Sequence, residues 1–328
     1  MKVEKKVKKL VTHDGSFHTD DIFACATLSL MLEANNEPFE IIRTRDEDII
    51  KSGDYVFDVG GIYDEKNNRF DHHQTGGAGK RPARNASGIA DARPHDSRQR
   101  VGQAGGENGI AYSSFGLVWH KFGAQITGNQ KVADLIDTKL VAPVDANDNG
   151  IDLFKNNFPN ILPYTLQDVF ATFSATALED MEKDGQFTKA LAWAKEILKR
   201  EIKKASDQVE ITKIIRGFYE QAKDKRLIVI DAPRVSRYEI WNALHDFPEP
   251  LFAVYGYDGD WSAVAMRKEE NSFGNRKNFP KSWAGLKAKE LQNITGVDDA
   301  VFCHNNLFLI IAKSKEGAIE LAKKALVD

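Results

Sequence analysis

The sequence predicts an α/β protein with a mostly parallel N-terminal sheet, a helical connector and a smaller α+β C-terminal domain. Three observations carry this. Short apolar runs alternate with helical periodicity over residues 7–59, the arrangement that builds a parallel sheet flanked by helices. Residues 165–221 then carry helical patterning, and after Lys225 apolar runs return at close spacing. At 328 residues the chain also exceeds the ~250–300 residues at which single cores stop growing.

Taken in order, Val7–Thr12 reads as a strand that runs into the polar turn His13-Asp14-Gly15-Ser16. From Asp20, the series Ile22, Phe23, Ala26, Leu28, Leu30 and Met31 indicates a helix with an acidic start, which suits the helix dipole. Phe39–Arg43 and Tyr55–Val59 are strands, the latter closed by Gly60-Gly61. Residues 76–108 are rich in Gly, Ala and Arg (Lys80, Arg81, Arg84, Arg93, Arg98, Arg100) and read as a solvated insertion, or as a basic arm along a phosphate backbone. Helices are expected over Ala111–Phe122, Lys131–Ala142, Thr165–Glu182 and Phe187–Gln221. The last, with Leu191, Trp193, Ile197, Leu198, Ile202 and Val209, would brace two domains. Leu227–Ile230, Leu251–Tyr255, Trp261–Ala265, Ala300–Phe302 and Leu307–Ile311 read as strands, Asp258-Gly259-Asp260 as a hairpin turn, and Lys315 onward as a final helix. The domains expected are 1–165, 166–226 and 227–328.

Composition narrows the class. Hydrophobic residues at 42% and charged residues at 28% are globular values, and a net charge of -3 gives no global attraction to nucleic acid. Two cysteines, Cys25 and Cys303, make no disulfide framework and fit a reducing, cytoplasmic compartment. No stretch approaches the ~20 apolar residues of a membrane helix, so no membrane partner is expected.

Four polar clusters carry the chemistry. His13, His18, Asp20 and Asp21 follow the first strand, Asp58 ends the third, Asp71-His72-His73 comes next, and Asp145, Asn147, Asp148 and Asn149 form an acidic loop. Ligands in such sheets bind beyond the carboxyl ends of strands, where His13 and Asp58 fall. Imidazoles and carboxylates without thiolates suit Mn²⁺, Mg²⁺ or Zn²⁺. A pair of such ions can clamp a phosphoryl group and activate water. Each cluster alone has a plain structural reading: Asp20 as a helix cap, Asp58 as a turn residue, the 145–149 segment as a turn or a calcium loop lacking its final Glu.

In order, these motifs resemble the Asp-His-His (DHH) phosphoesterase superfamily, and more closely the melanocyte proliferating gene one family of metal-dependent RNA exonucleases. The matching segments are Thr12-His13-Asp14-Gly15 with Phe17-His18 and Asp20-Asp21, Asp58-Val59-Gly60-Gly61 with Tyr63-Asp64, and Phe70-Asp71-His72-His73-Gln74. Ser113-Ser114 with Gly116-Leu117-Val118, Val144-Asp145-Ala146 with Asp148-Asn149-Gly150, Pro280 with Trp283 and Gly285-Leu286, and Phe302 with His304 complete the set. The resemblance implies a DHH-like catalytic domain in which His13 and His18 hold one metal, Asp20, His72 and Asp145 a second, and Asp58 bridges. It further implies two Mn²⁺ ions, with Mg²⁺ or Zn²⁺ as alternatives, His73 on the scissile phosphate, and Asp71 orienting an imidazole. Asp21 and Asp148 would cap or support. Arg276, Lys277 and His304 would grip the substrate, while Trp283 would stack on a base or lie in the core.

The activity this implies is 3′–5′ exonuclease action on single-stranded RNA or a short oligonucleotide, with a homodimer as the assembly to consider. Two other readings stay open. One is hydrolysis of a small phosphate ester, pyrophosphate or dinucleotide on the same scaffold; the other is an RNA-binding protein with a structural metal. A zinc peptidase is disfavoured because His-Glu-x-x-His is absent.

Overall fold

The computed structural model describes residues 5–82, 109–155, 158, 160–269 and 273–328. It divides into two compact units, residues 1–206 and 207–328.

In the first unit, β1 (Lys8–Thr12), α1 (Thr19–Ala34), β2 (Phe39–Arg43), α2 (Glu47–Ser52), β3 (Tyr55–Phe57), β4 (Tyr63–Asp64) and β5 (Arg69–Phe70) form the α/β portion. The sheet order is β2-β1-β3-β5-β4, parallel except for the β4–β5 pair. The third strand is shorter than its apolar run suggests because Asp58 takes a left-handed φ of 55°, followed by Gly60 at 96° and Gly61 at 66°. The chain therefore leaves the sheet at the aspartate.

Helix α1 is buried along both faces from Thr19 to Leu32, as expected of a helix that is apolar all round. It packs on α3 (Ser114–Thr127) through Phe23 and Phe115, whose ring centroids lie 5.3 Å apart. The chain continues through α4 (Gln130–Ile136), a π-turn (Asp137–Val141) and α5 (Ala142–Asp148). The segment 145–148 is thus helix, not the loop expected. The π-turn, where the Ala142 N–H reaches the Asp137 carbonyl, delivers the chain to Pro143, whose missing N–H is tolerated at the start of a helical segment. Of the helix expected over 165–182, only α6 (Leu166–Ala171) is α-helical. The long helix α7 (Lys183–Gln221) contains the division between the units.

The stretch expected to be an insertion lies mostly outside the described residues, including Arg84, Arg93, Arg98 and Arg100. Its described start, residues 76–82, is mostly exposed, with one anchored position. Lys80 bridges Ala111 in antiparallel fashion, and Arg81 is only 7% exposed because two carboxylates, Asp137 and Asp145, take its guanidinium.

The second unit orders its strands β6 (Leu227–Ile230), β7 (Phe252–Tyr257), β8 (Asp260–Ala265), β10 (Leu309–Ala312) and β9 (Ala300–Cys303), with α8 (Arg237–Leu244), α9 (Ala288–Thr295) and α10 (Lys315–Val327) around them. Only the β6–β7 pair is parallel, which makes this unit α+β. Alternation divides the sheet: Phe252, Val254, Ala263 and Ala265 face one apolar core, Ala253, Tyr255 and Val264 the other. Asp258 (φ 53°) and Gly259 (φ 83°) make the anticipated two-residue hairpin turn. Among the described residues no helix is long and apolar enough to cross a membrane.

Candidate metal centre

All four clusters meet in the first unit, at the carboxyl ends of β1 and β3 and the facing ends of α1, α3 and α5. His13 follows β1. Its Nδ1 lies 2.9 Å from the Asp14 carbonyl, which holds the proton there and leaves Nε2 to face the carboxylates. Nε2 is 3.2 Å from Asp58 and 3.3 Å from Asp21. His18, at the start of α1, is exposed, and its backbone N–H donates to Asp21 at 2.8 Å, so Asp21 caps the helix.

Asp58 is 5% exposed, and Ser114 Oγ lies 3.2 Å from its Oδ1. His72 Nε2 lies 3.5 Å from Asp58 and 3.2 Å from Asp148. Asp71 orients the next imidazole rather than this one: it accepts from His73 Nδ1 at 2.7 Å and from the Gly61 N–H at 2.6 Å. Asp20, 1% exposed, accepts from the amides of Ser114 and Phe115 at 3.0 and 2.7 Å and from the Ser113 hydroxyl. These donors sit at the N-terminus of α3, where backbone N–H groups are unspent.

Three groups of side chains could each surround one ion: His13, His18 and Asp58; Asp58, His72 and His73; Asp20, His72 and Asp148. Asp58 and His72 each belong to two of them. Asp145 belongs to none. Its Oδ1 lies 2.5 Å from the same Ser113 hydroxyl and accepts from the Gly116 N–H at 3.1 Å, and its Oδ2 takes Arg81. Gly116 is required here, because a Cβ would stand 1.9 Å from Asp145 Oδ2. Asp148, one turn along α5, is the residue of that cluster that meets His72.

The residues fit divalent cations. His72 Nε2 and Asp21 Oδ2 are buried without a hydrogen-bond partner among the described residues. Burial, with Asp58, Asp148 and Asp145 nearby, pushes Asp20 well above the usual carboxylate range, the signature of acids short of positive charge. Burial likewise pushes Asp21 up to about 7 against the pull of His13. Burial would raise Asp58 too, but the imidazoles of His13 and His72 beside it outweigh that and hold it far below that range. His72 shows the mirror image: burial lowers it, and Asp148 and Asp58 carry it up to about 10.

The centre opens on a cavity of ≈ 700 Å³ whose lining includes His13, His18, Asp58 and His73. Arg45 lines it too, held 3.2 Å from Asp14. This arginine falls outside every motif, and a cation two residues past a strand end was the only signal for it. Arg43 was also missed. Its buried guanidinium donates to the Gly15 carbonyl at 2.8 Å and lies 4.8 Å from the Phe187 ring, fixing the loop that carries His13 and His18.

The second-unit expectations fare differently. Arg276 donates to the carbonyls of Arg267, Pro250 and His245 at 3.0, 3.1 and 2.9 Å and to that of Phe247, so it clamps backbone. Lys277 donates to the Leu326 carbonyl at 2.9 Å. Trp283 is 6% exposed and lies in the core. His304 remains half-buried beside Phe308.

A sequence model of the MYG1 exonuclease family, described as an uncharacterised protein family (UPF0160), matches residues 9–326. The MYG1 exonuclease of Homo sapiens is 27% identical over 343 residues, covering 98% of this chain and 86% of that one. The MYG1 protein C694.04c of Schizosaccharomyces pombe is 25% identical, covering 97% of each. Among solved structures, RecJ in complex with Mn²⁺ from Thermus thermophilus shares 12% identity at a TM-score of 0.27, over 98% of this chain. This chain spans 52% of that one, about half its length. At such a score the chemistry rests on the geometry above. The chain belongs to the MYG1 exonuclease family, and the expectation of a metal-dependent phosphoesterase stands with that membership.

Proposed function

We propose that this member of the MYG1 exonuclease family is a divalent-metal-dependent phosphodiesterase that removes nucleotides from the 3′ end of single-stranded RNA, with Mn²⁺ as its preferred ion. One observation carries the reading: three imidazole–carboxylate groups, linked in turn through Asp58 and through His72, stand beside an open cavity. Bound divalent cations would supply the charge that activates water and stabilises the departing oxygen of a phosphodiester.

The chain's residues divide the remaining work. His13, His18 and Asp58 would hold one ion, and Asp20, His72 and Asp148 the other, with the Asp58, His72 and His73 group sharing one member with each. Asp145 supports this set through Ser113, whose hydroxyl contacts both it and Asp20. His73 has its Nδ1 against Asp71, which favours the imidazolium and leaves Nε2 to donate to a phosphate oxygen. Arg45, at the cavity wall, would receive a second phosphate.

The test is turnover of 3′-labelled and 5′-labelled RNA with Mn²⁺, beside Asp58→Asn and His72→Ala. Stepwise loss from the 3′ end, absent in both variants, is expected. No cleavage of RNA of any length, with bis-(p-nitrophenyl) phosphate also untouched, would overturn the reading. A second reading, hydrolysis of a dinucleotide-sized ester, is favoured by the cavity volume, which lies within the range that encloses small ligands. Faster turnover of dinucleotides than of longer RNA would select it.

A further inference from the structure

With Arg276 and Lys277 committed to backbone carbonyls, the second unit's available cations lie elsewhere. The Arg237 guanidinium sits 4.9 Å from the Tyr238 ring and 6.0 Å from Phe308, and that of Arg267 sits 3.9 Å from Trp241. The rings are continuous: Tyr238 to Trp241 is 5.4 Å, Trp241 to Phe308 is 6.5 Å, and Phe308 to His304 is 4.4 Å. Trp241 is locked by its indole N–H, which donates to the Ala265 carbonyl at 2.9 Å. It therefore serves as a fixed plate under Arg267.

Neither arginine has a carboxylate partner among the described residues, whereas Arg216 pairs with Asp246 and Arg226 with Asp224. The acid nearest Arg237 in sequence, Glu239, accepts from the Ser236 N–H at 2.6 Å and is spent on the start of α8, while Glu269, two residues past Arg267, is exposed and forms no ion pair with it. A hydrogen bond from Arg237 lowers the Tyr238 phenol, and the charges of Arg237 and Arg267 add to that pull. Tyr238 is 56% exposed.

We propose that Arg237, Tyr238, Arg267, His304 and Phe308 form a docking surface for single-stranded nucleic acid on the second unit. The identity of the ligand rests on the nuclease reading above. Uncompensated guanidiniums take phosphates, and an exposed ring between them offers a face on which a base stacks without regard to sequence. A small phosphate would be better served by a concave cradle. A band of alternating cations and rings instead fits a polymer that alternates phosphates and bases.

The test is fluorescence anisotropy of a labelled oligouridylate of about 10–15 nucleotides. It would use the full chain carrying Asp58→Asn to prevent turnover. Adding Arg237→Ala and Arg267→Ala should weaken binding at least tenfold and flatten the slope of log K against log salt by about 1.4, for two phosphate contacts. Tyr238→Ala should weaken binding about fivefold or more, but leave an abasic oligomer unaffected. Should the double variant unfold, Arg237→Gln and Arg267→Gln singly give the same reading at roughly half the change in slope. Unchanged affinity in these variants, or no binding by the parent chain, would overturn the proposal. Turnover of bis-(p-nitrophenyl) phosphate separates it from the nuclease reading. Oligomer binding lost in the variants, with a wild-type chain that cleaves neither RNA nor bis-(p-nitrophenyl) phosphate in Mn²⁺, would keep the surface and retire the nuclease.

Discussion

The two units bury different things. Among the described residues, the buried charged side chains all lie in the first unit: His13, Asp20, Asp21, Asp58, Asp71, Arg81 and Asp145. Among its described residues the second buries only Ser262 and Thr295 of the polar kind, within two apolar cores. Packing apolar groups is favourable on its own, whereas a buried carboxylate is held only because the rest of the fold over-determines its place. The difference predicts that chemistry and stability separate along the chain.

The sharpest break of that comparison is Asp58→Asn. Turnover should fall about a thousandfold, because the shared carboxylate is lost. The unfolding free energy of the metal-free protein should fall only modestly at neutral pH, because the favourable pairing of the Asp58 carboxylate with His13 and His72 is lost while its repulsion of Asp20 and Asp21 is relieved. A variant that was both inactive and strongly destabilised would mean that Asp58 is structural. Next in size are two stability effects with different causes. Arg81→Met strands Asp145 without its cation and should cost about 3–5 kcal/mol in urea unfolding, largely recovered by adding Asp145→Asn. Phe252→Ala, a fully buried ring in the second unit, should cost about 3–5 kcal/mol through lost packing, with no second-site polar rescue and with turnover of the folded fraction unchanged. If Phe252→Ala impaired turnover as Asp58→Asn does, the division of labour would fail.

A smaller effect concerns the ions. Mn²⁺ at about a hundred times its dissociation constant should stabilise the wild type by about 2.7 kcal/mol, seen as a rise in Tm that is lost with EDTA and absent in Asp58→Asn. The smallest falls on both units alike. Cys25 and Cys303 are free and buried, and burial pushes each thiol up to about 12, so neither should be alkylated by iodoacetamide at pH 8 until urea unfolds the chain.

Much of this was legible in the residues. Apolar runs located β1, β2 and β6 within a residue of their bounds because each strand is covered on at least one side by apolar packing. The polar clusters converged as strand-end logic requires. What escaped was relational. Nothing local at Asp145 says that Arg81, 64 residues earlier, will occupy it. Helix α8 was passed over because its eight residues offer too few turns for a periodic signal, although Ser236 and Glu239 form a capping box that marks its start. Arg276 was read as a grip because a cation in sequence carries no sign of whether carbonyls already surround it.

The backbone at Asp58 bears on how its side chain can be interrogated. At φ 55° an L-residue with a branched or bulky side chain is disfavoured, while aspartate, asparagine and glycine are tolerated. A mutational scan would therefore report this position as intolerant for two superimposed reasons, one electronic and one conformational. Alanine or valine would compound them. Asparagine keeps the shape and the turn while deleting the charge, so only that replacement reads out chemistry alone; glycine, equally at ease there, reads out the loss of the whole side chain.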